Sequence, residues 1–524
     1  MSESVVPTFH DLSFYSRPDE NKVRYEKLTA EFVKNFEVKP DFFARSPGRV
    51  NLMGDHIDYN FFSVLPMAID VDVVAAVKTN DSGEMVITNT NSANFKKETI
   101  KLPEDGSVVS IEKEHFSWAS YFSCSLIVAH KYIMEKYPEK VAGGSKPLKG
   151  LYITFDGTVP TGGGLSSSAA FCVASTLAVL KANGVDSISK ADLTRITVVS
   201  EHYVGVNTGG MDQCASVYGE ASKALLIHFR PKLIGIPFGF PKIAEDDELT
   251  FLISNSLQVS NKHETAPIHY NLRVVEMAIA SDILAKKLNL SPPRDSNVST
   301  ATLRGVLDSY VAEVLKQEKW DADDYQTGIK HLNTLLEIVE RESIFNAEQK
   351  VGFSVEEAAK ELGITVEEFK EKYLSKIPVR FETLKLYQRA KHVYAESLKV
   401  LECLSLLGEF SKSSKNPQQF LEAFGNILNE SQKSLDLLNN SSNEKLNKIC
   451  EIALKNGSYG SRVTGAGWGG CIVHLSTSKK LPQLQKALVD EYFKVEFPAI
   501  TQAELDEAII NSQPATGSCV VLLE

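Results

Sequence analysis

PTGGGLSSSAAF, from Pro160 to Phe171, holds three consecutive glycines (Gly162, Gly163, Gly164), then Leu165 and three serines (Ser166, Ser167, Ser168), and runs into the apolar stretch Ala169–Leu180. Leu151–Phe155, just before it, reads as a short strand. The order is therefore strand, glycine loop, helix. Glycine lets a backbone turn sharply and approach a ligand. A helix start offers unpaired N–H groups and the positive end of a dipole. Together they form an anion site, most often for phosphate, and serine hydroxyls add donors and Mg2+ ligands. A flexible loop capped by a serine is the alternative reading. The loop is not a P-loop, because it lacks the Gly-Lys-Ser/Thr ending. Ser167 stands where the dinucleotide fingerprint needs its third glycine. No H-R-D or D-F-G set is present, which excludes a protein kinase. A nucleotide site of another fold remains.

The chain has 524 residues, enough for two or three domains, and 43% hydrophobic content, ordinary for a globular protein. A net charge of −11 and a pI of about 5.6 argue against a general nucleic-acid or membrane-surface binder. Seven cysteines are scattered and never form a C-x-x-C pair, which points to buried thiols in a reducing compartment. The start, MSESVVPTFHDLSFYSRPDE, has no basic end or apolar core, and no apolar run approaches a membrane span. The expectation is a cytoplasmic protein.

Outward from the glycine loop, Lys22–Phe36 reads as a helix, and Val64–Ile69 and Val71–Val77 as buried strands rich in β-branched residues. Pro47-Gly48 and Met53-Gly54 are turn signals. Between them and the strands, Arg49–Tyr59 packs a cation, two carboxylates and an imidazole among hydrophobic runs. Charges there need partners, either a polyhydroxylated ligand or an internal ion pair. Asp55, His56 and Asp58 lack a second His or Cys at a zinc spacing. Trp118–Tyr137 and Ser189–Tyr203 read as helices, with Glu201 near the end of the second. Asp212 follows Gly209 and Gly210, and reads equally as a catalytic acid or a helix cap. Residues 280–350 read as a helical insertion, and Ser354–Leu374 as two short helices with acidic faces that duplex phosphates would repel. Lys385–Leu407 and Phe420–Leu438 read as amphipathic helices. A second glycine-dense loop, SYGSRVTGAGWGG, precedes the strand Cys471–Leu475 and points to a further close backbone approach to a ligand.

RSPGRVNLMGDHIDY, VPTGGGLSSSAAF and SRVTGAGWGGC, in this order and spacing, resemble the galactokinase family of the GHMP small-molecule kinases. The first motif is similar to the galactokinase signature, and the other two mark the superfamily. EHYVGVN, SNKHETAP and VRFETLKLYQRAKHVY resemble the fungal branch, which holds both enzymes and galactose sensors that bind a transcriptional repressor. The resemblance runs from about Phe42 to the C-terminus. It implies an α+β fold of two domains with the active site in the interdomain cleft. Residues 1–40 would be a lead-in, 41–240 the N-terminal domain, and 241–524 the C-terminal domain with a helical insertion at about 280–380.

The same resemblance implies the site. Arg49, Asp55, His56 and Asp58 match the sugar-binding motif, with Thr208 and Tyr270 beside the sugar. Gly162, Gly164, Ser166 and Ser167 match the nucleotide loop, with Ser260, Asn261 and Lys262 near the nucleotide. Ser168 and Glu201 match the Mg2+ pair, and Asp212 the catalytic aspartate, with Arg49 next to it. Asp55 stands where the family usually has Glu, and Thr208 where fungal relatives often have Asn; both have shorter reach. The implied reaction moves the γ-phosphoryl of ATP, with Mg2+, to the anomeric hydroxyl of galactose. A galactose- and ATP-dependent sensor that binds a repressor is the alternative, and an N-acetylated sugar an alternative substrate. The expected partners are galactose and ATP, with no nucleic acid or membrane, and the expected state is a monomer.

Overall fold

The computed structural model describes residues 4–523 except 112–116, 204–208, 259–264, 319, 321–323 and 413–415. Thirteen strands occur among the described residues. They are β1 (Thr8–Phe9), β2 (Phe42–Met53), β3 (Leu65–Asn80), β4 (Glu84–Asn89), β5 (Glu98–Lys101), β6 (Gly150–Gly157), β7 (Lys223–His228), β8 (Ile234–Gly239), β9 (Leu249–Asn255), β10 (Gly460–Val463), β11 (Cys471–Thr477), β12 (Ile509–Ser512) and β13 (Cys519–Val521). The first sheet runs β1-β13-β2-β3-β6-β4-β5, and a second runs β10-β11-β9-β12 with every pair antiparallel. β7 and β8 form a hairpin.

Alternating apolar residues in β2, β3 and β6 face helices α2 (Trp118–Lys136), α3 (Ser167–Ala182) and α4 (Lys190–His202) in one continuous core. α3 is the hub: it packs on α2, α4, β2 and β3, and from Ala169 to Ala182 nearly every side chain is buried. Packed on nearly every side, the run carries no polar face. The other face of the sheet is covered by α1 (Pro18–Phe36), through Tyr25, Leu28 and Phe32 against Phe43, Val74 and Ala76. No helix among the described residues is long and apolar enough to cross a membrane.

Three details differ from the sequence reading. The two strands expected around Asp70 are one strand, β3, because Asp72 is buried against partners. Arg45 Nε lies 2.5 Å and Arg24 Nη1 2.6 Å from its carboxylate, and Tyr15 donates to it at 2.7 Å. Pro47-Gly48 does not end a strand; β2 continues through a register shift between Pro47 and Arg49. The last strand, β13, returns to the first sheet and pairs with β2, so a single cut in the chain does not separate the two sheets.

Candidate active site

After the shift in β2, Arg49 meets a helix start and the glycine loop at once. Its Nε and Nη2 lie 2.8 and 2.6 Å from Asp212 Oδ1, and its Nη1 donates to Gly164 O at 2.7 Å. Asp212 sits in the first turn of α5 (Met211–Tyr218), behind Gly210 at φ +98°. A carboxylate in a helix's first turn is favoured by the dipole. The Arg49 side chain is 5% exposed and that of Asp212 22%, so the acid reaches open space while the cation behind it is buried.

The glycine loop joins β6 to α3, the strand, loop and helix order that its sequence predicts. α3 begins at Ser167, and Ser166 takes the cap position at φ +61° without a side-chain capping bond. Its hydroxyl is buried and has no hydrogen-bond partner among the described residues. An uncapped helix start beside a partnerless hydroxyl fits the donor needs of a phosphate. Ser167 and Ser168 are partly exposed on the first turn of α3. An open groove of about 610 Å3 runs along Thr161–Gly163, walled by Asn255, Gln258, Phe497 and Ile500.

The sugar motif forms a turn directly beyond Arg49. His56 holds φ +62°, an uncommon conformation for a residue with a Cβ. Its Nε2 lies 2.8 Å from Ala466 O and its Nδ1 3.1 Å from the Tyr59 hydroxyl. Nε2 must therefore carry the proton and Nδ1 accept. Burial pushes the imidazole down to about 3, so it stays neutral. Tyr270 and Trp468 pack on its ring, each with centroids 5.5 Å away. Asp58 is 6% exposed. Burial, reinforced by the nearby Asp212 carboxylate, raises its carboxyl to about 7. Asp55 is engaged at both oxygens: Arg462 Nη2 donates to Oδ2 at 2.6 Å and Gly465 N to Oδ1 at 3.1 Å. Burial nonetheless raises its carboxyl above the ordinary value, Arg462 and Arg49 working against the shift.

The structure sets Arg49 against Asp212 and Gly164 O, places Asp58 near Asp212 and packs Tyr270 on the His56 ring, while Asp55 in the same turn is buried with its two oxygens on Arg462 and Gly465 N. Thr208, Ser260, Asn261 and Lys262 lie outside the described residues, and of Glu201 only the backbone, near the end of α4, is described.

Two glycines of the second loop lie against the first loop. A Cβ on Gly465 would stand 2.6 Å from Gly164 O, and one on Gly470 2.7 Å from Gly163 O. Both have positive φ, +81° and +74°. The nearest atoms are thus the first glycine loop's backbone, and the glycines let the two loops stack. Sequence reasoning also missed Arg462, Glu396 and His392, whose side chains hold the sugar turn from the C-terminal half. A signal existed: Arg462 lies in β10 directly before the glycine-dense segment, and His392 and Glu396 lie four apart within a helix.

Comparison with known proteins agrees across three levels. The galactokinase galactose-binding signature matches residues 30–79, the GHMP kinase N-terminal domain 125–220 and the GHMP kinase C-terminal domain 414–495. Galactokinase of Schizosaccharomyces pombe is 58% identical over 520 residues, 99% of both chains. Galactokinase of Candida albicans is 60% identical over 524 residues, 98% of both chains. Galactokinase of Saccharomyces cerevisiae is 47% identical over 528 residues, 99% of this chain and 98% of that one. In fold, the chain is similar to a solved Lactococcus lactis galactokinase complexed with galactose. The TM-score is 0.65 at 21% identity, covering 94% of this chain and 99% of that one.

Proposed function

The chain belongs to the galactokinase family of the GHMP kinases, and from that premise we propose that it transfers the γ-phosphoryl group of ATP to the anomeric hydroxyl of α-D-galactose. The product is galactose 1-phosphate. The observation that carries this reading is the position of Arg49, whose single guanidinium joins the acid of the acceptor side, Asp212, to the carbonyl of Gly164 in the phosphate loop.

Phosphoryl transfer needs positioning and charge neutralisation more than covalent help. The start of α3 and the Ser166 hydroxyl receive the phosphates of ATP. Ser168 and Glu201 would hold Mg2+, which supplies neutralising charge on the transferring group. His56, Asp58 and Tyr270 serve to bind the sugar, Thr208 is assigned to the same role, and Asp55 belongs to the turn that carries His56 and Asp58. A neutral Asp58 carboxyl can donate to a sugar oxygen as well as accept. Asp212 orients the anomeric hydroxyl and takes its proton late, because a loose transition state requires little early deprotonation. Arg49 keeps that carboxylate in place. Ser260, Asn261 and Lys262 complete the nucleotide side.

The test is ADP release by purified protein with ATP and Mg2+, comparing galactose, glucose and N-acetylgalactosamine. Turnover that depends on galactose supports the reading. ADP release that is indifferent to the sugar, or that prefers the acetylated one, refutes it.

A further inference from the structure

The sugar turn belongs to the N-terminal half of the chain, yet its polar groups are held from the C-terminal half. Gly54 N donates to Glu396 Oε1 at 3.0 Å. Asp55 O lies 3.1 Å from His392 Nε2, whose other nitrogen lies 2.8 Å from the Ser434 hydroxyl. The Asp55 carboxylate meets Arg462 and Gly465 N, and His56 meets Ala466 O. Arg462 is the centre of this set. Besides Asp55, it donates to Glu396 at 3.2 Å, to Ser431 Oγ at 3.0 Å and to Asn51 O at 2.9 Å, where β2 enters the turn. Ser431 in turn donates to both Glu396 oxygens, at 2.9 and 2.8 Å. Arg462, Glu396, His392 and Asp55 are each no more than 1% exposed.

One buried cation with two buried carboxylates is a poor way to gain stability, since desolvation offsets much of the attraction. Its geometry is informative instead. A guanidinium with three donor directions fixes the carboxylate of Asp55, the strand before it and the helix Leu386–Lys412 in one register. The turn it fixes contains a strained residue, His56, whose conformation persists only if its surroundings enforce it.

We propose that Arg462, braced by Glu396, is a positioning residue for the sugar site, acting through Asp55 and the Gly54–His56 turn. Sugar affinity then depends on the docking of the two halves of the chain. The proposal rests on the galactokinase reading given above, and a wild-type protein without galactose-dependent turnover would fail that reading rather than this one.

The experiment measures KM for galactose and for ATP in Arg462→Lys, Glu396→Gln and Asp55→Asn, with the double variant Arg462→Lys/Asp55→Asn. Lysine keeps the charge but cannot hold Asp55, Glu396 and Asn51 O together. In Arg462→Lys, KM for galactose should rise by about tenfold or more, consistent with loss of a hydrogen bond to a charged group, while KM for ATP stays within about twofold. Glu396→Gln should move the same constant by about threefold, as removal of one brace. In the Arg462→Lys background, Asp55→Asn should add less than about twofold, because the two act as one unit. An unchanged KM for galactose in both Arg462→Lys and Glu396→Gln overturns the proposal. So do parallel changes in both KM values, or an Asp55→Asn effect that adds in full to Arg462→Lys. If Arg462→Lys does not fold, Glu396→Gln decides, since glutamine keeps the acceptor for Gly54 N.

Discussion

Gly465→Ala isolates the contact between the two glycine loops. The added methyl would stand 2.6 Å from Gly164 O, and the residue would keep φ +81°. A left-handed conformation costs an L-residue roughly 1–2 kcal/mol. To reach ordinary van der Waals contact at 3.4 Å, the carbonyl must retreat by about 0.8 Å. That carbonyl is also the acceptor for Arg49 Nη1 at 2.7 Å. Its displacement therefore loosens the guanidinium that holds Asp212. A hydrogen bond to a charged group contributes about 1.5–3 kcal/mol, and at 1.36 kcal/mol per decade this is a roughly 10- to 150-fold loss in kcat. The assay is steady-state ADP release with saturating ATP and galactose, alongside a thermal melt. Gly239→Ala is the control, because a methyl there meets nothing within 4 Å. If Gly465→Ala keeps the parent's melting temperature and a kcat within twofold of the parent's, the two loops are not coupled to Arg49 and the reasoning fails.

Asp212→Asn should lose kcat by about 100- to 10,000-fold, the usual contribution of a positioned acid–base group; calorimetry should show galactose binding within about tenfold of the parent. Arg49→Lys should be slower by about tenfold or more, because an ammonium cannot reach both Asp212 and Gly164 O. Ser166→Ala removes a buried hydroxyl that has no partner among the described residues, so stability to urea should hold or rise by up to about 1 kcal/mol while KM for ATP increases several-fold. Asp58→Asn tests the raised carboxyl. Below its ordinary pKa of 3.8 the folded and unfolded chains are both protonated there. As pH rises towards about 7, the unfolded chain releases the proton and the folded chain keeps it. The parent therefore loses stability across this window by up to roughly 4 kcal/mol, and Asn does not. The stability advantage of Asp58→Asn should grow between about pH 4 and about pH 7 in urea denaturation and level off above it; an advantage independent of pH would contradict the burial argument.

The parts of this molecule that were legible in its sequence are those whose cause is local. Glycines followed by serines and an alanine-rich run specify a loop and a helix start within a few residues, and α3 begins at Ser167. Arg49 and Asp58 were legible as charges beside apolar strands that require a ligand or a partner; Asp212 stood out only as a carboxylate behind paired glycines, and the structure sets it against Arg49 and near Asp58. Causes lying far along the chain were not legible. β3 is continuous because Asp72 meets Arg24 and Arg45, which no local pattern around Asp70 shows. β13 spans three residues, too few for any periodicity, and its place beside β2 is set only by the closing of the chain. The spacing of the second loop's glycines could not reveal that Gly465 and Gly470 lie against the first loop. Arg462 meets Asp55 across 407 positions of chain, and only packing brings them together.

The most direct measurement is phosphorus NMR of the product formed from ATP and galactose. The account places the acceptor hydroxyl at the anomeric carbon, beside Asp212 and facing the phosphate loop. It predicts a sugar phosphate whose phosphorus couples to a single proton, as a doublet, with ADP in equal amount. A triplet from a phosphate on the C6 hydroxymethyl group, or inorganic phosphate without a sugar ester, would contradict it.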